Sequence, residues 1–224
     1  MRNRMLRRGA DFGYVISGML VVLMALSPTV SASAHPASDY YYSSSPLGKW
    51  PSTHTEPFLV RNTFPSSSYV SRISESDNAW NTAPGSSLAE VDFRYDGTTT
   101  STGNFDSPCS ISWSGVYWRS ISGYGATKAC KNSSNVTVNF QISINSGKTW
   151  YAGTGTPSSS QMDLKSIATH EFGHATGMYG HFLDGPTCRL DSTRNTMCPG
   201  FEAQGTTYLR TLETDDKHTF TAAY

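Results

Sequence analysis

The residues with the most chemistry in them lie in one short run, His170-Glu171-Phe172-Gly173-His174-Ala175-Thr176-Gly177-Met178-Tyr179-Gly180-His181. His170 and His174 are four apart, which on a helix places both imidazoles on one face, a turn from each other. At metal–nitrogen distances of about 2.1 Å one zinc ion bridges such a pair. His181 is seven residues further on and in a continued helix would sit roughly 10 Å down the axis, too far to share that ion. The chain must therefore leave the helix and fold back. Gly177 is where a left-handed residue does so without a Cβ penalty. Three imidazoles leave the fourth position of a tetrahedral ion to water, the arrangement of a catalytic rather than a closed structural site. Glu171 neighbours a ligand without being one and is placed to act on that water as a general base. The pattern H-E-x-x-H-x-x-G-x-x-H is filled at every fixed position, an accident expected in on the order of one chain in a million.

The elements that must hold these residues are legible in part. Leu164, Ile167, Ala168, Phe172 and Ala175 recur at helical spacing, and Ser160-Gln161-Met162-Asp163 has the form of a capping box ahead of them. Upstream, Pro57–Arg61 reads as a first strand. Residues 67–81 read as one helix with Val70, Ile73 and Trp80 on a common face, stopped by Pro84-Gly85. Val91, Phe93 and Tyr95 alternate as a half-buried strand, and 96–107 reads as a Gly/Thr/Ser loop. Ile111–Trp118 is a further strand, and 123–131 a turn leading into an edge strand. Val136, Val138, Phe140, Ile142 and Ile144 give the cleanest alternation in the chain. Residues 151–159 form a loop, and a final helix is expected over 207–222. Strands and helices in this order predict an α+β domain.

The chain has 224 residues, 37% apolar, 12% aromatic and 15% charged, with a formal net charge of +0. That balance excludes the basic stripe of a nucleic-acid binder, and no repeat of 20–50 residues is present. Arg2, Arg4, Arg7 and Arg8 precede an apolar stretch from Phe12 to Leu26, and Ala32-Ser33-Ala34 supplies a small-x-small cleavage site. Fifteen residues are too few for a helix to span roughly 30 Å of hydrocarbon. Residues 1–34 are therefore expected to be a signal peptide, 35–48 a flexible leader or short pro-segment, and 49–224 the functional domain. The protein is expected to be secreted, extracellular and free of the membrane after cleavage. Cleavage leaves 13 basic and 16 acidic residues, net −3. Cys109, Cys130, Cys188 and Cys198 all fall in the mature part, and an even number in an oxidising compartment reads as two disulfides. Three pairings exist; the local one, Cys109–Cys130 with Cys188–Cys198, is the expectation. His54 and His218 read as ordinary structural histidines. His35 would head the mature chain, and its amine and imidazole could clamp copper, but no second histidine is placed to complete that brace.

With these residues in view, the chain resembles the metzincin metallopeptidases and, within them, the matrixins. Met197, in Asn195-Thr196-Met197-Cys198-Pro199, is similar to the Met-turn methionine, sixteen residues after His181. The proline two residues on is matrixin-like, whereas astacins and serralysins carry a tyrosine there. Leu212, Asp215, Asp216 and Tyr224 resemble the final matrixin helix, Asn139-Phe140 through Trp150 the strand and tryptophan ahead of the active-site helix, and Ala79-Trp80 the end of the first helix. The resemblance covers roughly 49–224. It implies a twisted, mostly parallel five-stranded sheet with an antiparallel edge strand, an active-site helix, a Met-turn and a C-terminal helix. There are departures. No cysteine precedes Cys109, so a thiolate switch on the metal is not supported. Only His54 and His218 remain for a second, structural zinc. Phe182 stands where matrixins commonly have serine, and a Cys188–Cys198 bridge is unusual in the animal enzymes. Together these features are similar to small bacterial secreted matrixin-like proteases.

The resemblance implies a zinc endopeptidase with one catalytic zinc on His170, His174 and His181, and Glu171 as general base. Its polypeptide substrate would lie extended along an edge strand, for which 126–131 is the expectation. Asp96-Gly97 and Asp184-Gly185 are candidate calcium loops. The protein is expected to be a monomer that does not bind nucleic acid. Two alternatives remain from other classes. One is a secreted binding or surface protein with a structural zinc, which leaves Glu171 without a purpose. The other is a zinc amidase acting on a non-protein amide.

Overall fold

The computed structural model describes residues 50–51, 54–83, 91–178, 195–198 and 204–223. The chain divides into 1–33 and 34–224, and every described residue belongs to the second unit. The expected signal peptide and leader lie outside the described residues.

Five strands make one sheet: β1 (His54–Arg61), β2 (Val91–Thr99), β3 (Ser114–Arg119), β4 (Gly125–Lys131) and β5 (Thr137–Asn145), in the order β2-β1-β3-β5-β4. β1–β2, β1–β3 and β3–β5 are parallel, and β4 runs antiparallel to β5 at the end of the sheet. That is the mixed, mostly parallel sheet expected. Parallel neighbours need crossovers. The first is made by helices α1 (Ser67–Ser74) and α2 (Asn78–Asn81). Residues 67–81 are thus two helices where one was expected. Beyond the end of α1 the Ser76 hydroxyl donates back to Arg72 O at 2.7 Å, a local bond that competes with continued helix, and Lys165 O lies 3.3 Å away.

A two-stranded parallel pair, β6 (Trp150–Tyr151) with β7 (Met162–Asp163), leads straight into helix α3 (Leu164–Ala175). A single turn at Tyr208–Arg210 and helix α4 (Thr214–Ala223) end the chain, where one helix over 207–222 was expected. α3 lies across the sheet. Phe172 meets Phe58, Phe93 and Phe140 with ring centroids 5.0, 5.3 and 5.8 Å apart, and all four rings are at most 1% exposed. Burying four aromatic rings is a large apolar gain, and their contacts fix the height of α3 above the sheet.

Two strand expectations are corrected. β2 continues through Asp96-Gly97 to Thr99, because a bulge opposite Phe58 and Val60 absorbs the Asp-Gly pair, with Gly97 at φ 111°. In β5 the polar positions of the alternation, Asn139, Gln141, Ser143 and Asn145, are buried as well. The loop before β3 takes the first two, Asn139 Nδ2 donating to Ile111 O at 2.9 Å and Gln141 Nε2 to Trp113 O at 3.0 Å, and the segment after β3 takes Asn145, whose Nδ2 donates to Ile121 O at 2.8 Å and Gly123 O at 2.6 Å. Val138, expected in the core, is 43% exposed, beside the register shift between Cys130 and Lys131.

Candidate functional site

α3 begins at Asp163, whose side chain accepts from Ser166 N at 2.8 Å. The cap is therefore Asp163 itself rather than Ser160 of the expected box. The β6–β7 pairing holds Asp163 extended, the conformation an N-cap requires. Arg210 locks this end with two bonds to the Asp163 carboxylate and further bonds to Gly153 O at 3.0 Å and Thr154 O at 2.8 Å. Two tryptophans hold the rest of the helix by its carbonyls: Trp80 Nε1 donates to Thr169 O and Trp50 Nε1 to Ala175 O, both at 2.7 Å. Gly173 faces Met197 and Trp80 so closely that a Cβ there would overlap the Met197 sulfur and stand 2.6 Å from Trp80 Cζ2.

His170 and His174 emerge on one face, their ring centroids 4.8 Å apart and their planes at 89°. His170 Nδ1 lies 2.7 Å from Thr196 O, and His174 Nδ1 lies 2.7 Å from Met178 O. A carbonyl only accepts, so each Nδ1 carries the proton and donates. Each Nε2 is then left with its lone pair, the form that ligates a metal. The donor set of the two rings thus fits a zinc ion. Met178 O reaches His174 because Gly177, at φ 106°, turns the chain back at the position the sequence indicated. His181, the third expected ligand, lies outside the described residues.

The 195–198 turn passes beneath His170. Thr196 and Met197 are at most 2% exposed, and their backbone N–H groups donate to Asp216 of α4 at 2.7 and 3.0 Å. Glu213 N adds a third bond to the same carboxylate at 3.0 Å. Burial pushes the Asp216 carboxyl up to about 6 in spite of these three donors. Met197 therefore sits under the helix, and Asp216 is what holds its backbone.

Glu171 is 4% exposed. Its Oε2 accepts from Thr127 Oγ1 of β4 at 2.6 Å. Its Oε1 lies against Gly125, where a Cβ would collide with it. Burial pushes the carboxyl up to about 7, with the Thr127 hydroxyl pulling the other way.

The structure brings His170, Glu171, His174 and Met197 together. Cys109 and Cys130 are disulfide-bonded to each other, as expected, tying the turn at Pro108–Ser110 to β4. Cys198 is also disulfide-bonded, while Cys188 lies outside the described residues. Of the calcium candidates, Asp96-Gly97 is in β2 rather than in a loop, and Asp184-Gly185 lies outside the described residues. His54 is structural as expected, 2.8 Å from the buried Glu56 and stacked on Trp50. Sequence reasoning missed Thr127, Gly125 and the anchoring role of Asp216. Only the run 126–131, expected as the substrate edge, pointed toward the first.

No protein-family model and no curated protein sequence matches the chain. Among solved structures, metalloproteinase-II from Bacteroides fragilis aligns with 79% of this chain at 10% identity and a TM-score of 0.36. The chain spans about half, 54%, of that structure's length. A likeness of that degree establishes neither family nor activity.

Proposed function

We propose that this chain is a secreted zinc-dependent endopeptidase of the metzincin class, matrixin-like within it. One observation carries the reading. His170 and His174 leave one face of α3 with their rings 4.8 Å apart and each Nδ1 bonded to a backbone carbonyl, which offers Nε2 as the metal-ligating nitrogen, and the buried Glu171 carboxyl lies beside them. A structural zinc site has no use for Glu171.

His170, His174 and His181 would hold the ion. Bound there, zinc supplies a water acidified to a pKa of about 7 and a polarised substrate carbonyl. Glu171 takes the proton of the attacking water and delivers it to the leaving amine. The β4 edge, which has no strand beyond it among the described residues, suits an extended polypeptide added as a further strand. The same surface and site require no second copy of the chain. The Cys109–Cys130 bond fits an oxidising, extracellular setting. Among the described residues no helix is long and apolar enough to cross a membrane.

The test is cleavage of an unfolded protein by the chain from residue 35 onward, with and without chelator, with the cut bonds mapped. Cleavage of backbone amides that stops on chelation and returns with one equivalent of zinc supports the reading. A protein that holds one zinc yet leaves unfolded polypeptides intact overturns it in favour of a structural zinc or of an amidase on other amides.

A further inference from the structure

We propose that Thr127 and Gly125 of strand β4 form the seat that aims the Glu171 carboxylate, with Thr127 a positioning residue for the general base. The inference rests on the peptidase reading above and extends it to residues that no motif marks. Gly125 and Thr127 are two apart on the strand and so face the same side, toward α3. They pair with Ile144 and Ile142 of β5, which fixes their height along the sheet.

The two residues hold the two oxygens of Glu171 in different ways. Thr127 Oγ1 is 2.6 Å from Oε2 and 3.1 Å from Glu171 O. A hydroxyl has one proton to give, and the shorter contact to a carboxylate takes it. Among the described residues this is the hydrogen bond the carboxylate has. Gly125 acts by what it lacks. Its φ is not in the left-handed region, so conformation does not require a glycine here. The space a Cβ would fill is already taken by Oε1, with Cδ and Cγ of Glu171 only 2.8 Å from it. A hydroxyl on one oxygen and a Cβ-sized recess under the other leave the carboxylate a single orientation.

The consequence is a mechanical link. β4 is the end strand of the sheet, and the Cys109–Cys130 bond braces it three residues beyond Thr127. The strand that would receive substrate is then also the strand that orients the base, so a peptide docking on the edge and the proton acceptor share one rigid reference. Removing the Thr127 hydroxyl should leave peptide binding intact and misdirect the acceptor.

The experiment compares wild type, Thr127→Val and Thr127→Ser, each loaded with zinc. Valine keeps the shape and removes the donor; serine restores the donor. Expected for Thr127→Val are a kcat about 10–100-fold lower, a KM within about twofold of wild type and an unchanged zinc affinity, with most of the kcat recovered in Thr127→Ser. A crystal structure of the zinc-loaded Val variant should show the Glu171 carboxylate rotated from its present position. Wild-type kcat in the Val variant, or an equal loss in Val and Ser, overturns the proposal. If wild type itself cleaves no polypeptide, the peptidase reading fails instead, and the carboxylate position in the Val crystal still decides the seat: rotated supports it, unmoved overturns it.

Discussion

Glu171 and Asp216 are both buried carboxylates flanking the same helix and turn, and they are seated in opposite ways. Asp216 receives three backbone N–H groups, from Thr196, Met197 and Glu213, within 3.0 Å. Glu171 receives one hydroxyl and otherwise rests against a glycine. Burial raises both, Asp216 to about 6 and Glu171 to about 7. On the function proposed above, the difference separates an anchor from a reagent. Three fixed donors make Asp216 part of the framework that holds the 195–198 turn beneath the His170 ring. A carboxylate with one partner keeps a lone pair for a proton that must come and go. Both sit in the same low-dielectric surroundings, so the donor count rather than burial sorts their roles.

The comparison can be broken by substitution. Asp216→Ala strands three buried N–H groups and should lower the unfolding free energy by about 3 kcal/mol, read from urea titration. Glu171→Gln should change it by less than about 1 kcal/mol, because an amide oxygen still accepts from Thr127. Equal losses in the two variants would erase the distinction. Gly173→Ala tests the packing between the two seats. Its methyl meets the Met197 sulfur and Trp80, and overpacking there should cost about 1–3 kcal/mol and weaken zinc binding. An unchanged zinc affinity would show that Met197 is not held against α3 in the way described.

The smallest effect is a pH dependence. Burial also pushes Asp77 up to about 7, and its Oδ1 has no partner among the described residues. A carboxyl raised in the folded state binds its proton at a pH where the unfolded chain has already released it. The folded form therefore holds more protons between about pH 4 and pH 7, and stability falls as pH rises through that window. Chelated protein should gain stability as pH falls through this window, and Asp77→Asn should reduce the slope, Glu171 and Asp216 supplying the remainder. A slope unchanged in Asp77→Asn would remove Asp77 from the account.

What was legible in the sequence was local. The four-residue spacing of His170 and His174 and the reversal at Gly177 follow from helix geometry alone, and both stand in the structure. The sheet's five strands, mostly parallel sense and antiparallel edge came with the family resemblance, and the strand order did not. The misses all depend on distant contacts. Ser76, just past the end of the first helix, lies against Lys165 O, 89 residues away. The pairing of β6 with β7 moves the helix cap from Ser160 to Asp163. The polar face of β5 is buried because the segments before and after β3 bond to it. Thr127 meets Glu171 across 44 residues of sequence. No periodicity or cap signal encodes such a contact, and a lone threonine in an edge strand carries no mark of it.

The central claim is that α3 carries a catalytic zinc with Glu171 as the proton carrier. Its most direct test is the zinc content and the turnover of Glu171→Gln, measured side by side with wild type on an unfolded polypeptide. The account predicts one zinc per chain in both proteins and at least about 10²-fold slower cleavage by the variant. A zinc-loaded Gln variant that cleaves at close to the wild-type rate would contradict it.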